Sequence, residues 1–551
     1  MINTSMPPRD NAVRLALLGR RLPEGRLRIG FLCEDSRVQQ WAFETVDLLR
    51  TAPQIDVCGA VVCKTERKRR QPENLSATIF EAYRSRCPSA KMLQPVDLSD
   101  SVPVWKLDGD AARERLASLQ LDVLISFSAP LAPESCAGLA RYGVWSPRWG
   151  DPFSRVRTPA FFWETYEDAQ ITSAALMAHT DVGTPLVLRR IDCATAPGFW
   201  YTKNAEETPT AMKRILIRCL YDLLIDGWER LTSRAKSSDK DNSIDQLEVS
   251  PTPPGLAVFL AKRAYIAARM RYRNARSAGN WFCAFRTDPG AFTSNRGRFT
   301  PGGFEELPRT APDYGCADPF PVSTGGTDFI FAEEILPDER GRLVVYSKDG
   351  AGKWQNPPTV IMDTAHHLSY PCVFEHEGEY YLIPETWCAG RVELWRATRF
   401  PDKWALDTVY AEGVGLVDTT PVYANGRWYF FTAAVGPGAD AYELLIYHSE
   451  QLRGPWEAHA LNPVSSDIRA ARMAGHFFRS HNRLIRPAQD CSGAYGRAMR
   501  LYEVLRLTPW EYEEREIEQI EACWHPRAEL THTLNATESI EVIDGWQRYP
   551  R

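Results

Sequence analysis

The sequence predicts a chain of two parts, an α/β domain on a largely parallel sheet followed by a five-bladed β-propeller. Three observations carry that reading. From Arg26 to about Leu231, short apolar runs alternate with longer amphipathic stretches, the pattern of βαβ units. From residue 281 to 545 the period changes to short alternating strands punctuated by Gly, Asn and Asp. Within that second region Trp354, Trp404, Trp456 and Trp510 each follow a loop-like segment, at intervals of 50, 52 and 54 residues. Such a repeat length specifies four-stranded blades, and five of them fit.

In chain order, LRIGFLC (27–33) reads as the first strand and VQQWAFETVDLLRTA (38–52) as the helix that returns from it. IDVCGAVVCK (55–64) and LDVLISFSA (121–129) are further strands. The turn after the first strand, CEDSR, holds no GxGxxG, so a dinucleotide's pyrophosphate would find no glycine-lined approach. Residues 232–255, polar and proline-rich, read as a flexible linker after a domain spanning 26–231. Residues 256–279 read as a connecting helix. Between Lys262 and Arg276 it carries six basic residues and no acidic one, a face that could meet an anionic membrane or a phosphorylated ligand.

The propeller is expected over 280–546, closed by WFCAF (281–285) borrowed into the last blade. Inner strands are read at ADPF (317–320), SYPCVF (369–374), DTTPVY (418–423), RMAGHF (472–477) and HTLN (532–535). Innermost strands line one channel, so their side chains converge although they lie about 50 residues apart. The innermost candidates are Asp318, His367, Asp418, Arg472 and His532, joined by Glu333, Glu334, Glu385 and Asp490. Glycosyl chemistry needs carboxylates on either side of an anomeric carbon, one giving a proton and one acting as base or nucleophile. Asp318, Glu385 and Asp418 are the catalytic candidates. His367 is expected to pack or to stack on substrate. Arg469, Arg472, Arg483 and Arg486 gather around the fourth blade and suit an anionic group such as a sugar phosphate.

Composition narrows the function classes. With 65 Lys+Arg against 70 Asp+Glu, the net charge of −5 offers nucleic acid no global attraction. The 13 cysteines form no CxxC pair and no HExxH occurs, so no metal site is expected and reduced thiols are. The run LALLG near the N-terminus is too short for a signal peptide's apolar core, and no stretch reaches about 18 apolar residues, so a cytoplasmic location is expected.

The stretch from ADPF through HLSYP, LIPET, DTTPVY and RMAGHF to RPAQDCS resembles the propeller region of glucosamine inositolphosphorylceramide transferases. That fold is similar to arabinanase-type glycoside hydrolases. In those hydrolases an Asp of the first blade is base, an Asp of the second tunes pKa and a Glu of the third is acid. Asp318 matches the first. The second blade offers His367 and Glu385 and the third Asp418, so the resemblance does not carry hydrolysis over. Residues 142–190, ending in DVGTPLVL, resemble the formyltransferase family that uses formyl-tetrahydrofolate. Its Asn and His positions fall on Ser146 and Arg148, and only Asp181 matches; Arg cannot act as the base.

The leading expectation is therefore a transferase of glycan or glycoconjugate assembly, moving a sugar in the propeller pocket. Carbohydrate or sugar-phosphate molecules are its expected ligands, with a nucleotide sugar as donor. Glu334, His367, Arg472, Arg486, Asp490 and His532 would bind substrate. One alternative is N-formylation of a sugar by the first domain, which would need formyl-tetrahydrofolate and recruit nearby His179 for the missing imidazole. The other is a glycan-binding scaffold without turnover.

Overall fold

Two compact units divide the chain between Arg271 and Tyr272 in a computed structural model. The structure describes residues 19–20, 24–63, 75–107, 109–127, 138–154, 156–180, 184–196, 198, 200–233, 235–237, 246–248, 250–287, 298–435 and 441–550.

The first unit holds an eight-stranded sheet. In chain order its strands are β1 (Leu27–Cys33), β2 (Ile55–Val62), β3 (Val104–Lys106), β4 (Val123–Ser126), β5 (Val144–Trp149), β6 (Ile171–His179), β7 (Leu186–Ala194) and β8 (Lys236–Ser237). They lie side by side as β8-β7-β6-β5-β4-β1-β2-β3. From β3 to β5 all pairs are parallel, and β6 to β8 continue antiparallel. The chain winds outward from β1 to one side, then returns to lay β4 on the other side. Between β1 and β4 the winding direction therefore reverses, and open α/β sheets bind ligands at the carboxyl ends of strands beside such a point. β1 and β4 are apolar on both faces, as strands covered by helices on each side must be.

The long helix α5 (Asn204–Asp226), preceded by α1 (Gln40–Thr51), α2 (Leu75–Arg84), α3 (Gly109–Ser118) and α4 (Phe162–Tyr166), packs against β6 and β7. Within 232–255 the described residues include two short paired strands. Lys236–Ser237 joins the sheet edge, and Gln246–Glu248 pairs with Val156–Thr158, because alternating backbone donors and acceptors next to a free strand can pair whatever the side-chain polarity. After the short α6 (Trp228–Thr232), the basic segment is helical as expected, as α7 (Pro253–Arg276). It buries only Leu256, Phe259 and Arg263.

The second unit is a ring of five antiparallel sheets, four of them of four strands and the fourth blade of five, where the short strand Phe478–Ser480 also pairs with Arg483–Asp490. Blade one runs from Gly315–Thr324 outward to Thr359–Met362, blade two from Ser369–His376 to Lys403–Glu412, and blade three from Leu416–Ala424 to Glu457–Ala458. Blade four runs from Arg472–Met473 to Tyr512–Glu521. Blade five is assembled from both ends of the region: Leu534–Ala536 and Glu541–Pro550 come from the end, Ser277–Arg286 and Glu305–Glu306 from the start. The closing strand pairs in continuous register from Ser277 with Pro550 to Arg286 with Glu541, so WFCAF does close the ring. Trp404 opens an outer strand, and Trp354, Trp456 and Trp510 lie just before theirs, which explains the repeat.

Candidate active site

One backbone irregularity recurs in three blades and aims the site. Asp318, Tyr370 and Asp418 have φ of 50°, 45° and 51°, a left-handed conformation that non-glycine residues seldom adopt. In each blade the register between the first and second strands slips there, between Ala317 and Phe320, Ser369 and Cys372, and Val417 and Thr420. Such bulges bend a strand and re-aim a side chain. The blade-two counterpart of Asp318 and Asp418 is thus Tyr370 and not His367, which lies before the strand. The signal was present in sequence as the recurring AD-P and SY-P before the strand body, and alignment on the bulge would have found it.

Tyr370 is fully buried. Its hydroxyl hydrogen-bonds Thr420 Oγ1 at 2.8 Å and accepts the Gly475 N–H at 2.9 Å, while its ring meets Phe320 edge-on. Phe320 in turn meets His476. These rings fill one level of the axis, and the charged groups gather next to them.

Asp318 is buried among partners from the second and fifth blades. Its carboxylate accepts the Tyr370 N–H at 3.1 Å and the Thr533 hydroxyl at 2.6 Å, and its own N–H donates to Asp544 at 3.1 Å. Asp544 takes the backbone N–H groups of His532 and Thr533 and lies 2.6 Å from His532 Nδ1. Burial works against an imidazolium here, but the Asp544 and Asp318 carboxylates outweigh it and lift His532 to about 9. The ring also stacks on Trp281, 3.9 Å between centroids. Burial, reinforced by Glu333, Asp544 and Asp418, pushes Asp318 up to about 7 in spite of His532.

Glu385 is buried as well, receiving the Trp387 N–H at 2.6 Å and the Ser369 hydroxyl at 2.9 Å. Burial, then the nearby Asp418 charge, pushes it up to about 7, with those donors and Arg472 pulling the other way. Asp418 is gripped by the Arg472 guanidinium and by Gln489 Nε2 at 3.1 Å. Although burial disfavours the cation, Asp418 raises the Arg472 pKa, so the guanidinium stays a cation beside it. Asp418 thus acts electrostatically on both Asp318 and Glu385. Tyr495 lies over the Arg472 guanidinium at 4.9 Å and edge-on to His532. Tyr495 and Trp387 are 48% and 41% exposed, open aromatic faces beside buried charge.

His367 is joined to this assembly through Glu333, 3.1 Å from its Nε2. Glu333 favours the imidazolium, yet the Gly341 N–H donates to Nδ1 at 2.9 Å and needs its lone pair. The ring is therefore held with its proton on Nε2. Gly341 is required there, since a Cβ would come within 2.5 Å of Glu333 Oε1.

Other sequence candidates are engaged elsewhere. Glu334 pairs with Arg342 at 2.6 Å and accepts from Thr310. Arg486 is wholly buried in a two-pronged bond to Glu514, at 2.7 and 2.8 Å. Asp490 accepts from Ser492, Arg497 and Arg500; against the opposing effect of burial, those donors and charges hold its pKa below the usual range. These three are not brought into the acid cluster by any contact, and each fits the physics of a lock within a blade. Of the blade-four arginines Arg469 is bound to Asp467, and Arg483 lies 4.0 Å from Glu503.

Among the described residues one trio, Asp318, His532 and Asp544, has ligand atoms close enough for a metal ion. The twelve described cysteines are free, and among the described residues no helix is long and apolar enough to cross a membrane. In the first unit Ser146 Oγ lies 3.1 Å from His179 Nε2, and Arg148 Nη2 donates to the Ser154 carbonyl at 2.8 Å. Asp181 lies outside the described residues.

Residues 309–528 match the family described as glucosamine inositolphosphorylceramide transferase 1, N-terminal. The match takes in Asp318, Glu385, Asp418 and Arg472 and stops short of His532 and Asp544. The chain is 38% identical over 210 residues to glucosamine inositolphosphorylceramide transferase 1 of Oryza sativa subsp. japonica, covering 37% of this chain and 28% of the relative. It is 34% identical over 212 residues to the transferase of the same name from Arabidopsis thaliana, with the same coverage. The aligned part is thus 28% of the length of these relatives. Among solved structures, an exo-β-1,3-galactanase from Clostridium thermocellum is similar at a TM-score of 0.33 and 15% identity, over 40% of this chain and 55% of that one. A family 117 glycoside hydrolase from Zobellia galactanivorans is similar at 0.31 and 12%, over 48% and 90%.

Proposed function

We propose that the propeller transfers a glycosyl group during the assembly of a glycoconjugate, with Glu385 and Asp318 exchanging the proton. The observation that supports this most is the pair of buried carboxyl groups lifted to about 7, each near half-protonation at neutral pH. A general acid or base works best when its pKa lies near the working pH. The Asp418 carboxylate, paired with Arg472, favours the protonated form of Glu385 until a leaving oxygen draws the proton away. The imidazolium of His532 stabilises Asp318 once it is charged. Tyr495 and Trp387 offer faces on which a sugar ring can stack, and Arg472 lies under Tyr495 where a donor's phosphate would be drawn.

The names of the relatives, transferases of an inositolphosphorylceramide, support glycosyl transfer over hydrolysis and a lipid-linked acceptor. A nucleotide sugar is the proposed donor. The basic stretch 262–276 would then bring the protein to an anionic membrane surface. Formyl transfer by the first unit is the second reading. The Ser146 to His179 hydrogen bond favours it, since an imidazole stands close to the expected position.

The test is a thermal-shift series with nucleotide-sugar donors on the full chain, since a ligand selective for the folded state raises its melting temperature. At least one donor should give a saturable rise that Tyr495→Ala reduces. A rise produced only by a tetrahydrofolate analogue would favour formyl transfer, and no rise with any donor would count against catalysis in the propeller.

A further inference from the structure

Two buried polar atoms in the first unit have no hydrogen-bond partner, and they stand on one sheet face on the two strands that flank β5. Ser126 ends β4, is 2% exposed and has an unpartnered Oγ. His179 ends β6, is 9% exposed and has an unpartnered Nδ1. Between them on β5 stands Ser146, itself bonded to His179 Nε2. The register places these groups together: Leu124 pairs with Val144 and Ile125 with Trp145, so Ser126 comes level with Ser146, and Val144 pairs with His179. Because side chains alternate along a strand, Ser126, Ser146, Arg148 and His179 share one face of the sheet.

Buried polar groups in folded proteins are nearly always paired, so two orphans on one sheet face need an explanation. Their chemistry indicates what would pair them. Burial and the Arg148 charge push His179 down to about 4, so its ring is neutral. Ser146 Oγ and His179 Nε2 are 3.1 Å apart, and in the tautomer where the hydroxyl donates, Nδ1 carries the ring's proton. The face then presents the Ser126 hydroxyl and the His179 Nδ1–H as donors, with the Arg148 charge beside them. It lies one strand from the point between β1 and β4 where the winding reverses, the position at which open α/β sheets bind ligands.

We propose that Ser126, Ser146 and His179, with Arg148 beside them, form the floor of a site for an oxyanion, a phosphate or carboxylate group of a small molecule. The site is separate from the propeller chemistry and does not depend on it.

Thermal melting of the full chain in inorganic phosphate or acetate, against chloride at equal ionic strength, tests the assignment. General salting effects act on every variant alike. Wild type should show a saturable rise of several degrees in one of the two anions, and which one identifies the group as phosphoryl or carboxylate. In Ser126→Ala that rise should vanish while the melting temperature in chloride stays equal to or above wild type, because the lost hydroxyl had no partner. His179→Phe should abolish the rise as well. The proposal is overturned if neither anion gives a saturable rise, if Ser126→Ala keeps it, or if Ser126→Ala melts lower in chloride.

Discussion

Asp318 and Asp418 occupy the same strained position in two blades yet differ in what surrounds them, and that difference fixes what each can do. Asp418 faces the Arg472 guanidinium; Asp318, buried, faces other carboxylates and an imidazolium and is pushed up to about 7. A carboxyl group normally titrates near 4, so the fold holds the protons of Asp318 and Glu385 more tightly than the unfolded chain does. Their contribution to stability is full below about pH 4 and is lost as pH rises through 7. His532 follows the same sign in a higher window, full below about 6.5 and lost as pH rises through 9. In Glu385→Gln the amide can accept from Trp387 and donate to Ser369, so urea midpoints should fall less between pH 5 and 8 than in wild type. Parallel pH dependences would show that Glu385 is not shifted. Arg486 obeys a different logic. Wholly buried and matched by Glu514, it should leave an uncompensated charge in Glu514→Gln, at a cost of about 3 kcal/mol in urea unfolding. Sugar binding should be unchanged in that variant.

The elements show what a sequence can and cannot reveal. The repeat of Trp354, Trp404, Trp456 and Trp510 marked the blades because each indole stands at the start of an outer strand, a local rule repeated along the chain. WFCAF could be read as the closing strand because five blades leave one strand to be supplied from the other end. The place of Tyr370 does not follow from hydrophobic period, since a bulge is a property of strand register; it follows from aligning the AD-P and SY-P segments on each other. The partners of Arg486 and Asp490 were hidden for a related reason: sequence shows that a charge lies near a pocket but not whether a neighbour already holds it. The closing strand also carries a test. Phe282 is fully buried against Trp524 and Ile543, and Phe282→Ala should lower unfolding free energy by about 3–5 kcal/mol if closure holds the ring. A loss under 1 kcal/mol would mean that this strand contributes little to the ring. Helix α7 exposes Tyr265 and carries Arg269 and Arg271 near it. Each basic residue near an anionic surface contributes about 1 kcal/mol. Co-sedimentation with phosphatidylserine vesicles should fall at least tenfold in Arg269→Glu/Arg271→Glu, and unchanged binding would remove the helix from any membrane role.

At the scale of the molecule, a ring of blades solves a problem that one sheet cannot. Carboxylates that repel one another must be held close without collapsing into ion pairs, and inner strands from separate blades hold them from different directions. Asp318 feels Glu333, Asp544 and Asp418, which come from three blades. The most direct measurement is the rate of glycosyl transfer by the full chain with the donor found by thermal shift, for wild type, Asp318→Asn and Glu385→Gln. Both variants should fold and bind donor while transferring at least a hundredfold more slowly. Transfer at the wild-type rate in either folded variant would contradict the assignment of the proton to that carboxyl group.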